Sequence, residues 1–207
     1  MNAALIVIAK EPLPGRSKTR LCPPLSAEAA AGVAEASLAD TLATAAVCPA
    51  RRHVLALEGE PGDWLPPCFE VIAQRGGGLD ARLASAFEDV AEPALLIGMD
   101  TPQVTPELLA AALRTVARPR TDAVIGPAFD GGYWAIGLRH ARRELFAGVP
   151  MSSAATYAAQ VARLRDAGLC VRTLPPLRDV DLIEDAHAVA GLAPSGRFAK
   201  ALEMVAA

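Results

Sequence analysis

Short, uninterrupted apolar runs alternate with longer alanine-rich stretches along this chain. Runs such as Leu5-Ile6-Val7-Ile8-Ala9 and Ala94-Leu95-Leu96-Ile97-Gly98-Met99 lack polar alternation, so each reads as a strand covered on both faces. The stretches between them carry apolar residues at helical spacing, as at Leu79, Leu83 and Phe87. Doubly covered strands separated by helices predict an α/β fold, a three-layer α/β/α sandwich around a mostly parallel, mixed sheet.

Seven strands are predicted, at residues 5–9, 53–57, 69–73, 94–99, 123–125, 133–138 and 170–174. Ser26 caps a helix that runs to Ala46 with Val33, Leu38 and Leu42 on its apolar face. Thr105 followed by Pro106 is an N-cap and first-turn pair for a helix ending near Arg118, with Leu108, Leu109, Ala112, Leu113 and Val116 facing inward. Further helices are expected at residues 154–167, capped by Ser152-Ser153, at 183–190 and at 195–205, the last presenting Phe198, Leu202 and Val205. No compositional linker interrupts the pattern, so residues 1–207 are expected to form one domain.

Hydrophobic residues make up 52% of the chain and charged residues 21%, which excludes a disordered protein. A formal charge of −3 offers no global basis for binding nucleic acid, and lysine occurs only at Lys10, Lys18 and Lys200. Cys22, Cys48, Cys68 and Cys170 are too widely spaced for a zinc pattern and are expected to be reduced, in keeping with a cytoplasmic protein. The apolar run at residues 5–9 is far shorter than the ~20 residues of a membrane span. His53, His140 and His187 share no spacing that would assemble a nucleophilic triad.

Four constellations can carry chemistry. Lys10, Arg16, Lys18 and Arg20 cluster directly after the first strand, with Gly15 permitting a tight turn; basic side chains beyond a strand's carboxyl end make a polyphosphate cradle. A P-loop is excluded, since Pro12 and Ser17 stand where that motif requires glycine. Asp100 emerges from the strand at residues 94–99, a position from which a carboxylate can hold Mg²⁺ against substrate phosphates or cap a helix. Asp179 and Asp181 alternate in an extended segment, so both can face one cavity, and each can equally serve as helix N-terminal charge. In Asp130-Gly131-Gly132-Tyr133-Trp134 the two glycines suggest a sharp turn or close approach to a ligand, while either aromatic can be core. Gly76-Gly77-Gly78, with Arg82 one turn into the next helix, can wrap a base or ribose or form a flexible turn.

The order of these motifs resembles a bacterial glycosyltransferase-A-like family within the nucleotide-diphospho-sugar transferase superfamily, similar to the 2-phospho-lactate guanylyltransferases and, more distantly, the molybdenum cofactor guanylyltransferases. The pieces that carry the resemblance are Pro14-Gly15-Arg16-Ser17-Lys18-Thr19-Arg20, Ile97-Gly98-Met99-Asp100-Thr101-Pro102, Asp130-Gly131-Gly132-Tyr133 and Asp179-Val180-Asp181. Three positions depart from the family pattern: Gly78-Leu79-Asp80, Met151-Ser152-Ser153 and Leu182.

The resemblance implies that Arg16, Lys18 and Arg20 bind phosphates. It implies that Asp100 binds Mg²⁺, or Mn²⁺ in its place, together with Asp181 or, as the alternative, Asp179. Arg16, Lys18 and Asp100 are the expected catalytic groups. Gly15, Gly77, Gly78, Arg82, Gly131 and Gly132 are expected to join Arg16, Lys18 and Arg20 around the nucleotide. The expected reaction is transfer of a nucleoside monophosphate from a triphosphate to a small phosphorylated acceptor with release of pyrophosphate. Sugar transfer from a nucleotide-diphospho-sugar to a sugar acceptor, and nucleotide binding without catalysis, are the alternatives. No nucleic-acid or membrane partner is expected, and a monomer or a homodimer fits.

Overall fold

The structure, a computed structural model, describes residues 3–206. Its seven strands are β1 (Ala4–Lys10), β2 (His53–Glu58), β3 (Phe69–Ala73), β4 (Ala94–Gly98), β5 (Ala123–Pro127), β6 (Tyr133–Leu138) and β7 (Val171–Thr173). They form one sheet in the order β3-β2-β1-β4-β6-β5-β7. β6 runs antiparallel to both its neighbours and every other pairing is parallel. This is the expected three-layer α/β/α sandwich with a mixed, mostly parallel sheet.

Helices α1 (Ala27–Ala46) and α3 (Pro106–Val116) cover one face, and α2 (Leu79–Val90) and α4 (Thr156–Asp166) the other. The period of two along β1 divides the core. Leu5 and Val7 pack with Leu38 and Leu42 of α1 and Leu109 and Leu113 of α3. Ala4 and Ile6 turn to Leu83 and Phe87 of α2 and Leu164 of α4. Burial of each such Leu, Ile or Phe side chain stabilises the fold by about 1.5–3 kcal/mol. A third cluster lies outside the sheet, where Leu21 and Leu25 meet Val33 of α1, Val180, Val189 of α5 (Ile183–Leu192) and Phe198 of α6 (Arg197–Ala206).

Helix starts follow local side-chain chemistry. The Ser26 hydroxyl accepts from the Ala29 amide and that of Thr105 from the Leu108 amide, as expected. Ser152-Ser153 do not cap α4, which begins two residues later than expected. The Thr156 hydroxyl there accepts from the Ser153 amide and donates to the Pro150 carbonyl, so residues 150–155 are held in a turn. At the carboxyl terminus Phe198 and Leu202 are buried as expected, but Val205 is exposed because the third cluster ends one turn earlier.

Candidate active site

From β1 the chain order extends outward to β2 and β3, whereas β4 leads to β6, β5 and β7. The boundary between β1 and β4 is therefore the switch point at which an open α/β sheet forms a crevice beyond its carboxyl ends. Lys10 closes β1, Glu58 closes β2, and Asp100 follows β4 by two residues. Because β6 is antiparallel, its first residue, Tyr133, reaches the same end.

The basic loop is fixed from below. Leu21 and Leu25 are buried in the third cluster, and the Ser17 hydroxyl accepts from the Leu13 amide at 3.3 Å and donates to the Glu11 carbonyl at 3.2 Å. Lys18 takes a left-handed conformation, φ 50°, that turns its side chain into the crevice. There its ammonium lies 2.5 Å from Asp100 Oδ1 with only 9% of the side chain exposed, and it also donates to the Val180 carbonyl.

Val180 belongs to the same buried cluster, and its amide donates to the Asp100 carbonyl at 2.9 Å. With Val180 pinned inward, its two acidic neighbours turn outward on either side of Asp100. Their alternation in sequence allowed both to face one cavity. Instead Asp181 lines a basic cavity and pairs with Arg20, while Asp179 lines an acidic one. The contact of Val180 with the Asp100 backbone sets the two aspartates astride Asp100 rather than together.

Asp100 thus borders three cavities. The largest, about 460 Å³, is lined by Lys10, Gln74, Gly77, Arg82, Tyr133 and Ser152 together with apolar Ile8, Leu79, Leu83 and Met99. The second, about 220 Å³, gathers Lys10, Arg16, Lys18 and Arg20 with Asp181. The third, about 100 Å³, is lined by Thr101, Asp130, Gly132, Tyr133, Trp134 and Asp179.

Other predicted site residues have local duties. Gly15, at φ +70°, makes the exposed turn of the basic loop, and Gly78 is the N-cap of α2. Gly131 has φ +90°, and a Cβ there would overlap the backbone of Ala154; its carbonyl accepts from the Tyr157 amide at 2.8 Å. That glycine seats the start of α4 against the sheet. Trp134 is core, its indole donating to the Pro175 carbonyl at 3.0 Å. Tyr133 is half core: its ring packs against the α2–α4 side, its hydroxyl donates to the buried Gln160 amide at 3.3 Å, and burial pushes its phenol well up.

Glu58 was not singled out from the sequence. It draws together Lys10 at 3.6 Å, Arg16 at 3.9 Å and, in closer contact, Arg82. The Arg82 hydrogen bond holds its carboxyl below the usual glutamate range. Gln74 fastens the same corner, donating to the carbonyls of Ala9 at 2.7 Å and Ala56 at 3.0 Å. A signal was present, since Glu58 ends an apolar run as Asp100 does, but its partners come from elements distant in sequence.

The acidic cavity suits a hard divalent cation. Burial first, then Asp130 and Asp100, push the Asp179 carboxyl up to about 6. Every donor there is oxygen, as Mg²⁺ or Mn²⁺ requires. Among the described residues no three His, Cys, Asp or Glu side chains already form a metal cluster. That is compatible with Mg²⁺, which commonly takes one or two carboxylates and completes its shell with waters and substrate phosphates.

Comparison with known proteins agrees with this architecture. A family profile described as "Uncharacterized protein conserved in bacteria (DUF2064)" matches residues 32–153. A protein of Desulfovibrio desulfuricans G20, with the provisional assignment of nucleotide-diphospho-sugar transferase, is 27% identical, with 99% of each chain covered and a TM-score of 0.83. The 2-C-methyl-D-erythritol 4-phosphate cytidylyltransferase of Thermus thermophilus shares the fold at 17% identity, covering 94% of this chain and 100% of its own, with a TM-score of 0.56. Rv0371c of Mycobacterium tuberculosis H37Rv, solved as a manganese complex, shares it at 20% identity, covering 91% and 97%, with a TM-score of 0.53. No curated protein matches the chain. The Desulfovibrio protein supports the superfamily that the motif order resembles, and the other two show the fold; the guanylyltransferases rest on the motif order alone.

Proposed function

The chain belongs to the DUF2064 family of proteins conserved in bacteria, and from its site geometry we propose that it is a Mg²⁺-dependent nucleotidyltransferase. In this reading an acceptor oxygen bonds to the α-phosphorus of a nucleoside triphosphate, the bond to the β-phosphate oxygen breaks, and pyrophosphate leaves. The observation that carries it is the meeting of Lys18, Asp100 and the Val180 carbonyl, groups separated by up to 162 residues, at the switch point of the sheet.

The 460 Å³ cavity, apolar on one side and edged by Gln74, Gly77 and Arg82, has room for a nucleoside. Arg16, Lys18 and Arg20, which line the 220 Å³ cavity, would receive the β- and γ-phosphates. Arginine forks grip phosphate oxygens, and the lysine supplies a point charge to the leaving pyrophosphate. Asp100 and Asp179 are the groups we assign to Mg²⁺, with Mn²⁺ as substitute, and Asp181 holds Arg20 in place. When bound, the cation supplies charge neutralisation on the phosphate oxygens. Lys18 meanwhile keeps Asp100 oriented.

The test is pyrophosphate release from each nucleoside triphosphate with Mg²⁺ and candidate acceptors. Asp100→Asn retains an oxygen for Lys18 but loses the charge, and is expected to lower turnover at least 100-fold with an unchanged circular dichroism spectrum. Undiminished Mg²⁺-dependent turnover by that variant removes Asp100 from the site. The relation to the Desulfovibrio protein favours a second reading, sugar transfer from a nucleotide-diphospho-sugar. Consumption of such a donor, without pyrophosphate from any triphosphate, would decide for it.

A further inference from the structure

Asp100 separates two cavities of opposite charge. Lys10, Arg16, Lys18 and Arg20 line the first, offset by Asp100 and Asp181. Asp100, Asp130 and Asp179 line the second, and among the described residues no lysine or arginine does. The cation next to it in sequence, Arg178, is committed elsewhere: its guanidinium donates to Asp185 at 2.7 Å and lies 5.3 Å over the ring of Phe129. Lys18, which touches Asp100, faces the basic side.

In-line displacement sets the entering and leaving oxygens on opposite sides of the phosphorus. With pyrophosphate leaving along the basic cavity, the acceptor oxygen enters from the acidic one; as it bonds to the α-phosphorus and the bond to pyrophosphate breaks, the hydroxyl proton passes to a carboxylate oxygen of that cavity. Three carboxylates there carry three negative charges, of which Lys18 at Asp100 offsets one and a divalent cation the other two. A phosphate monoester would bring negative charge into a cavity with no lysine or arginine left to pair with it, whereas a neutral hydroxyl needs no such partner.

An independent observation points to the same chemistry. Thr101 is 2% exposed, lines this cavity, and its hydroxyl has no hydrogen-bond partner. A buried hydroxyl left unpaired is rare and calls for an explanation, which a hydroxyl group on a ligand provides. Asp130 Oδ1 accepts from the Gly132 amide at 2.7 Å, leaving Oδ2 to accept from a second hydroxyl. The cavity, about 100 Å³, holds only the reacting end of a molecule, and beside it Phe129, 61% exposed, offers an apolar surface to the remainder.

We infer that the acceptor is an uncharged hydroxyl compound, a sugar or polyol without phosphate, gripped through its hydroxyls by Asp130 and Thr101. The inference rests on the nucleotidyl-transfer reading and replaces the phosphorylated acceptor that the motif order implies.

Matched pairs test it: glycerol, ribitol and glucose against their monophosphates, each with Mg²⁺ and nucleoside triphosphates, followed by pyrophosphate release. At least one parent compound is expected to react with a kcat/KM at least tenfold above that of its monophosphate. Asp130→Asn keeps the oxygen that accepts from Gly132 and is expected to narrow that preference about tenfold. Thr101→Val is expected to lower kcat/KM for the parent about tenfold without lowering the unfolding midpoint. Preference for the monophosphates, or an unmoved ratio in Asp130→Asn, overturns the inference.

Absence of pyrophosphate from every pair counts against nucleotidyl transfer itself. The charge preference is then read from saturation-transfer NMR on protein loaded with Mg²⁺ and an α,β-methylene triphosphate. A stronger signal from the monophosphates, or none from any parent compound, refutes it there too; a stronger signal from a parent compound supports it.

Discussion

Replacing Asp179 by Asn in metal-free protein isolates the charge imbalance at the acidic cavity. Burial and the neighbouring Asp130 and Asp100 push this carboxyl from 3.8 up to about 6. The folded state therefore holds the proton more tightly than the unfolded chain, and stability is lost as pH rises from about 4 through about 6. A shift of that size corresponds to about 2–3 kcal/mol at pH 7.5, taking about 1.4 kcal/mol per pKa unit. Asn removes the charge and retains an oxygen for the backbone hydrogen bond that Asp179 accepts. For a domain of this length the gain is expected to raise Tm by about 5 °C in EDTA at pH 7.5 and to vanish below pH 4. Thermal unfolding of both proteins across that range measures it. Excess Mg²⁺ is expected to raise the Tm of the wild type and close the gap. A variant less stable than wild type at pH 7.5 in EDTA, or a gain unchanged at pH 4, would show that burial and the neighbouring carboxylates do not penalise the Asp179 charge as described.

Two further substitutions examine the scaffold. Gly131→Ala places a Cβ against the Ala154 backbone at φ +90°, and is expected to cost about 3–5 kcal/mol, read from the urea midpoint. An effect below about 1 kcal/mol would show that α4 can move aside without loss. Glu58→Gln removes the carboxylate shared by Lys10, Arg16 and Arg82, and is expected to cost about 1–2 kcal/mol at pH 7. Its folded pKa is lowered, so the stability it adds is present above the usual glutamate range and lost as pH falls through the folded value. The difference from wild type in thermal unfolding should therefore close toward pH 3, and a pH-independent difference would assign the loss to packing.

What the sequence made legible was local. Uninterrupted runs such as Leu5 to Ala9 announce strands because only a strand buried on both faces needs no polar alternation. Ser26 and Thr105 announce helix starts because the capping bond spans three residues. Strand order was not legible: nothing within Tyr133–Leu138 says that it inserts, reversed, between β4 and β5. For the same reason Glu58 stayed hidden while Asp100 did not. Asp100 stood within a motif, whereas the importance of Glu58 arises only when three distant side chains converge on it.

The division between Asp179 and Asp181 shows how distant packing sets local chemistry. Alternation along an extended segment puts both on one side of the backbone, but not in one cavity. The cavity each enters depends on where Val180 is anchored, and that anchor is the cluster with Leu21, Val33, Val189 and Phe198. α6 is itself fixed to α1 by Asp40, whose carboxylate accepts from the Phe198 amide at 2.9 Å. The same cluster buries Leu21, three residues after Lys18, so one set of apolar contacts aims both the ammonium and the two aspartates at Asp100. The family match over residues 32–153 contains Asp100 and Asp130 but neither Lys18 nor Asp179. The two metal-facing carboxylates we assign thus meet because segments on either side of that region pack together, and α5 and α6 serve the site without placing a side chain in it.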